Sequence, residues 1–147
     1  MSKKTIARAS EIINSKSGYI DGGTSYVVLS LIDDAGYPTS AAITLSKADG
    51  IKWLSFLGGA DSNKAKRIKK CNKACVNIAT SDYNITLVGT IEVVTDIETK
   101  KLHWQDVFTE NHGAVDCPGC CAFVFTTDRY SLFFMDDFSE VTGTLLK

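Results

Sequence analysis

The sequence predicts a mainly β protein with some α, folded as one small antiparallel barrel with flanking helices. Three observations carry this. About six or seven β-branched or alternating apolar runs punctuate the chain, each ending in Asp, Gly, Pro or Ser turn signals. Helical spacing occurs in only three places, and these do not alternate with the strands as the crossovers of a parallel sheet would. An antiparallel sheet of that many strands must curl or fold back to hide its edges, which favours a small barrel.

The elements follow in order. Ile6, Ala9, Ile12 and Ile13 recur at helical spacing and predict an amphipathic helix over 3–15. "SYVVLSLID" (25–33), "YPTSAAITLS" (37–46) and "IKWLSFL" (51–57) are separated by Asp34-Ala35-Gly36 and Ala48-Asp49-Gly50, a meander pattern. A basic helix follows, with Ala65, Ile68, Cys71 and Cys75 as its apolar stripe. Next come "ACVNIAT" (74–80), a turn at Ser81-Asp82-Tyr83, and the long strand "NITLVGTIEVVTD" (84–96), whose Gly89 predicts a bulge or bend. Asp96 is placed to cap a third helix through Lys101, Leu102 and Trp104, with Glu98, Lys100 and Lys101 in solvent. A polar stretch (109–119) then leads to "CAFVFTTDRYSLFFMD", which reads as a final strand pair.

A chain of 147 residues suits a single domain over 1–147 and at this size buries roughly 70% of its unfolded surface. Sixteen basic and seventeen acidic side chains leave a net charge of −1, so no global field draws it to nucleic acid or anionic lipid. No apolar run reaches the length of a membrane span, and "MSKKTIARASEII" lacks the apolar core of a secretory leader. With five cysteines, an odd number, reduced thiols are expected, hence a cytoplasmic protein.

Local charge is another matter. In "FLGGADSNKAKRIKKC" (56–71) a strand passes through Gly58 and Gly59 into a helix start that Ser62 or Asp61 can cap. The free N–H groups of the first turn, the positive end of the helix dipole and the Lys64 ammonium converge there, a phosphate-sized anion site. The paired glycines allow a sharp turn and close ligand approach. Lys66, Arg67, Lys69, Lys70 and Lys73 read as the solvated face of the same helix. Neither a Walker loop nor a Gly-x-Gly-x-x-Gly turn is present. Tyr83, Tyr130 and Phe138 are the aromatics that could stack on single-stranded nucleic acid, but Asp33-Asp34 and Asp136-Asp137 interrupt any basic groove.

Taken in order, "DDAGYP" (33–38), "TSAAITLSK" (39–47), "WLSFLGGADSNKAKRI" (53–68), "ACVNIA" (74–79) and "NITLVGTIEVVTD" (84–96) resemble the pyridoxamine 5′-phosphate oxidase-like, FMN-binding split-barrel superfamily. Among its members, the short chains of the general stress protein subgroup look most similar. The resemblance implies a split β-barrel, a six-stranded antiparallel Greek-key barrel with flanking helices. It also implies a homodimer with FMN in two grooves at the interface. Carried over by position, Ala42, Ile43, Thr44, Leu45 and Lys47 would border the isoalloxazine, and Leu57 and Gly58 would line its floor. Ser62, Asn63 and Lys64 would bind the phosphate, and Asn84 would meet the flavin ring. Asn63 stands where the family carries arginine, and Ala42 where many members have a second basic residue. The C-terminal Trp and Arg-x-Arg signature of true pyridoxamine 5′-phosphate oxidases is absent from "DDFSEVTGTLLK", so vitamin B6 oxidation is not expected.

"DCPGCC" (116–121) is the other stretch with chemical character. Cys117 and Cys120 have Cys-x-x-Cys spacing, and with Cys71 and Cys75 they offer four sulfurs for zinc or an iron–sulfur cluster. A redox pair and ordinary thiols are the alternatives, and ordinary thiols with no metal are the expectation. His103 and His112 complete no triad, and His112 is expected in solvent. Trp53 and Trp104 read as core or interface residues. With no evident general base, the chain reads as a flavoprotein whose cofactor carries the chemistry, an oxidoreductase on an unidentified small molecule. The alternatives are a non-enzymatic flavin-binding module and a stress-related interaction protein with an empty groove.

Overall fold

Period-two burial marks several strands of the computed structural model, which describes residues 2–17, 26–105 and 115–145. In β1 (Tyr26–Ile32) Val27, Leu29 and Leu31 are buried while Tyr26 and Val28 are exposed, as a strand with one face on a core requires. The other strands are β2 (Pro38–Thr44), β3 (Lys47–Asp49), β4 (Trp53–Gly59), β5 (Lys73–Ala79), β6 (Tyr83–Val94), β7 (Cys120–Phe134) and β8 (Ser139–Thr144). The helices are α1 (Ser2–Ser15), α2 (Asn63–Lys70) and α3 (Ile97–His103).

All pairings are antiparallel, in the order β2-β1-β5-β6-β7-β4-β3, with β8 added to β7. The two ends of this order, β2 and β3, are neighbours in the chain, joined only by the buried Leu45 and Ser46. The sheet must therefore curl until its edges nearly meet, and the result is a split half-barrel. Six long strands form the wall; β3 and β8 are additions to it. α2 carries the chain from β4 to β5, which have two strands between them, and closes the Greek key.

The curl has a visible cause. Between β6 and β7 the register slips, Val88 facing Arg129 but Gly89 facing Thr127, so Asp128 is the extra residue of a bulge. A Cβ on Gly89 would lie 1.9 Å from the Thr126 carbonyl oxygen, so only glycine lets the backbones approach there. The bulge also switches which residues of β7 face inward: Leu132 and Phe134 on one side of it, Phe123 and Phe125 on the other, all buried. The expected strand pair in 121–136 is thus one long bent strand, and its true partner is β8.

The interior is a continuous cluster that includes Leu29, Leu54, Phe56, Val76, Ile85, Leu87 and Phe125, with Ala9 and Ile13 of α1 and Ala65 and Ile68 of α2. α1 is pinned at its middle by Arg8, which forms a 2.7 Å ion pair with Asp136 and lies 4.0 Å above the Phe134 ring. Two expectations need correction. α2 ends at Lys70 with Cys71 as its C-cap, so Cys75 belongs to β5 and not to the helix stripe. Lys100, expected in solvent, is 2% exposed, because α3 lies with that face on the sheet. The solvent position expected for His112 falls outside the described residues.

Candidate functional site

The start of α2 is built as its sequence requires. Ser62 is the N-cap, with extended backbone; its Oγ accepts from Ala65 N–H at 3.2 Å and donates to the Gly59 carbonyl at 2.7 Å. This leaves the N–H groups of Asn63 and Lys64 without intrahelical acceptors. No acidic residue sits in the first turn. The positive end of the helix dipole is therefore uncompensated by the protein itself.

A groove of about 360 Å³ opens beside this turn. Ser62, Asn63, Lys64 and Arg67 form one wall; Leu29, Leu31, Thr39, Ser40 and Ala41 of β1 and β2 form the other. Arg67 is the residue that the sequence reading placed in solvent. It is half-buried, one turn after Lys64 on the same face, and donates to Thr39 Oγ1 at 3.2 Å while Thr39 donates to the Leu31 carbonyl at 3.0 Å. The spacing i, i+3 from Lys64 was the available signal. Among the described residues neither Lys64 nor Arg67 has a carboxylate within ion-pair distance, whereas Lys70 on the outer face pairs with Asp34 at 3.3 Å. Lys66 and Lys69 are exposed, as expected.

The remaining predicted residues distribute differently. Ala42 and Val28 face one another, and Val28 faces Asn77, whose side-chain amide donates to Asn84 Oδ1 at 2.8 Å. Ala42 and Asn84 thus share the outer face of the sheet, with Thr44 on the same side of β2. Ile43 packs against the core, and Leu45 is fully buried. Lys47 lies at the far end, in β3, close enough to His103 to act on its charge. Leu57 belongs to a separate apolar cluster with Val94 and Ala122. Gly58 has no left-handed backbone; a Cβ there would sit 2.6 Å from the Phe123 ring, so this glycine serves core packing. The structure therefore brings Ser62, Asn63 and Lys64 together and adds Arg67, while Ala42, Thr44 and Asn84 line a different surface.

The four sulfurs of Cys71, Cys75, Cys117 and Cys120 do not gather at one point. Among the described residues no three His, Cys, Asp or Glu side chains are grouped to hold a metal ion. Cys71 and Cys75 are half-buried thiols, and burial pushes Cys75 up from its ordinary range. His103 is buried with its ring edge-on to Trp53 at 5.2 Å; its Nδ1 finds no hydrogen-bond partner among the described residues. Burial, with the nearby charge of Lys47, holds its pKa below the ordinary value. Among the described residues, no helix is long and apolar enough to cross a membrane.

Comparison with known proteins finds no matching family model and no matching curated protein. Solved structures do match. A Clostridium acetobutylicum protein related to general stress protein 26 of B. subtilis, of the pyridoxinephosphate oxidase family, superposes with a TM-score of 0.80 at 23% identity, covering 99% of this chain and 97% of that one. General stress protein 26 from Bacillus anthracis superposes at 0.70 with 16% identity over 98% of each chain. A heme binding protein from Mycobacterium smegmatis gives 0.70 at 14% identity, covering 95% of this chain and 57% of that one. The fold is that of these proteins, in agreement with the split barrel expected from motif order.

Proposed function

We propose that the chain is an FMN-binding flavoprotein, a homodimeric oxidoreductase acting on a small molecule. The observation that supports this most is the pair of cations, Lys64 and Arg67, facing one groove at a capped helix start with no carboxylate within ion-pair distance among the described residues. A phosphate monoester is their natural counterion: it carries nearly two negative charges near neutral pH and presents three acceptor oxygens. Arg67 supplies from the helix's second turn the forked donor that Asn63 cannot. The groove's volume lies at the low end of small-ligand clefts, about 300–1,000 Å³, which suits the phosphate end of a nucleotide-like cofactor.

FMN, when bound, supplies hydride or electron transfer. The chain's own part is to hold the phosphate through Ser62, Lys64, Arg67 and the free N–H groups of α2, and to offer an uncharged sheet surface around Ala42, Thr44 and Asn84. Among the described residues no side chain lining the groove is a general base, and no His, Cys or Met lines it to ligate a heme iron, which favours a flavin over the ligand of the mycobacterial neighbour. Reduced thiols throughout are in keeping with a cytoplasmic setting.

Titration with FMN tests the site. Lys64→Ala and Arg67→Ala should each weaken binding by about tenfold or more, the loss of a charge-assisted contact, while Lys69→Ala leaves it unchanged. Equal effects at all three positions would mean a diffuse basic face and no pocket. Steady-state turnover with NADH or NADPH and an artificial acceptor then separates an enzyme from a flavin-binding module.

A further inference from the structure

Lys100 has no role in the groove, yet its ammonium is buried at the foot of the Cys117-Pro118-Gly119-Cys120 turn. It donates to the carbonyl oxygens of Cys117 at 3.1 Å and Cys120 at 3.2 Å. Among the described residues no carboxylate lies within ion-pair distance of it. Asp96, the N-cap of α3, feels the ammonium only as the smallest of the influences on its own carboxyl. Burying a cation without an anion is costly; the Lys100 charge favours the thiolates of Cys117, Cys120 and Cys121, as a lesser influence on each than burial or the Cys117–Cys120 hydrogen bond.

We propose that Cys117 and Cys120 form a dithiol site that exchanges with low-molecular-weight disulfides, Cys117 attacking, Cys120 resolving, and Lys100 serving as the buried counter-charge of the attacking thiolate. The geometry supports each role. Cys120 N–H donates to the Cys117 carbonyl at 3.1 Å and closes the turn, which keeps the two Cα atoms within about 7 Å, close to the span of a disulfide. Cys117 is half-exposed and can meet a partner; Cys120 is buried beneath it and protected. The Cys120 thiol donates a hydrogen bond to the Cys117 sulfur, and with the N–H of Gly119 and the Lys100 charge this holds Cys117 below the ordinary thiol range. Burial pushes Cys120 up and Cys121 up to about 11. Among the described residues the charged groups facing the turn are Lys100 from α3 and, toward Cys121, Lys69 from α2; Asp116 beside it is exposed to water.

The exchange balances. Cys117 thiolate attacks one sulfur of R–S–S–R, forming Cys117–S–S–R and releasing RS⁻, which takes a proton from the Cys120 thiol. Cys120 thiolate then attacks Cys117 Sγ, breaks the mixed disulfide and releases the second RS⁻, which is protonated by solvent. The dithiol is oxidised by two electrons and the small disulfide is reduced to two thiols.

The experiment treats the reduced full chain with oxidised glutathione, followed by acid quenching and peptide mass mapping. Wild type should lose two hydrogens and carry a Cys117–Cys120 link. Cys120→Ser should stop at a single glutathionyl adduct on Cys117, and Cys117→Ser should leave Cys120 unmodified over the same time. Lys100→Met should slow Cys117 about tenfold at neutral pH and move its reactivity profile to higher pH. Should that variant fail to fold, wild type still decides, because Cys117 must react about tenfold faster than the half-exposed Cys71. Equal rates at Cys117 and Cys71, an adduct on Cys120→Ser located elsewhere, or a folded Lys100→Met with an unshifted profile would each overturn the proposal.

Discussion

At the scale of single residues, the structure separates cations that share one helix. Lys70 pairs with Asp34, both in water, where such a bond contributes little. Lys64 and Arg67 face a groove and pair with nothing acidic among the described residues. His103 shows the same logic inverted, since its surroundings favour the neutral ring. Its folded pKa lies below the unfolded value near 6.5, so the unfolded chain takes up the proton first. Stability should therefore fall as pH drops below about 6.5, and level off only below the folded pKa. His103→Phe, which keeps the ring against Trp53, should remove this part of the acid sensitivity in melting curves from pH 7 downward; an unchanged slope would show that another group sets it. Residues of this kind were partly legible in the sequence. Ser62 and Lys64 follow from capping and dipole rules, whereas Arg67 and Lys100 were read as wet because long basic side chains usually are. Only the neighbouring element, β2 for Arg67 and the Cys117–Cys120 turn for Lys100, makes them otherwise.

At the scale of elements, the β6–β7 ladder decides the shape of the barrel. Gly89 alone announced a bulge, but the extra residue, Asp128, sits on the partner strand, inside a Thr-Thr-Asp-Arg stretch that resembles a turn. Local signals cannot distinguish a bulged strand from a hairpin, because both need a residue that interrupts alternation. Pairing settles it: β7 runs unbroken from Cys120 to Phe134 and turns its inward set from Leu132 and Phe134 to Phe123 and Phe125 at the bulge. Gly89→Ala should push a methyl group into the Thr126 carbonyl and destabilise the fold by roughly 2–4 kcal/mol in urea unfolding. A loss below about 0.5 kcal/mol would mean that the two strands separate freely there.

At the scale of the whole molecule, the outer sheet face is the largest feature without an evident use inside one chain. One row of paired positions crosses it as Ala42, Val28, Asn77, Thr86, Ser131 and Thr142; the next runs Ser40, Ser30, Cys75, Val88, Arg129 and Thr144. Arg129 is the sole charged side chain in the two rows. A sheet face of mostly small, uncharged residues is suited to burial against a second copy, and it carries Ala42 and Asn84, which the monomer keeps apart from Lys64. Sedimentation should show a dimer for wild type and a monomer for Val28→Glu; a wild type that sediments as a monomer at all concentrations contradicts the homodimer. Motif order was enough to anticipate the barrel, because its strands and turns are locally encoded. The separation of the Lys64 groove from the sheet face that carries Ala42 and Asn84 was not, because it depends on which face each strand turns outward after the sheet curls.

The visible spectrum of the purified chain, recorded before and after mixing with FMN and removal of free ligand, decides whether Lys64 and Arg67 hold a flavin phosphate. Wild type should retain a flavin band that Lys64→Ala and Arg67→Ala lose under the same washing. A colourless protein that gains no flavin band from FMN would contradict FMN binding.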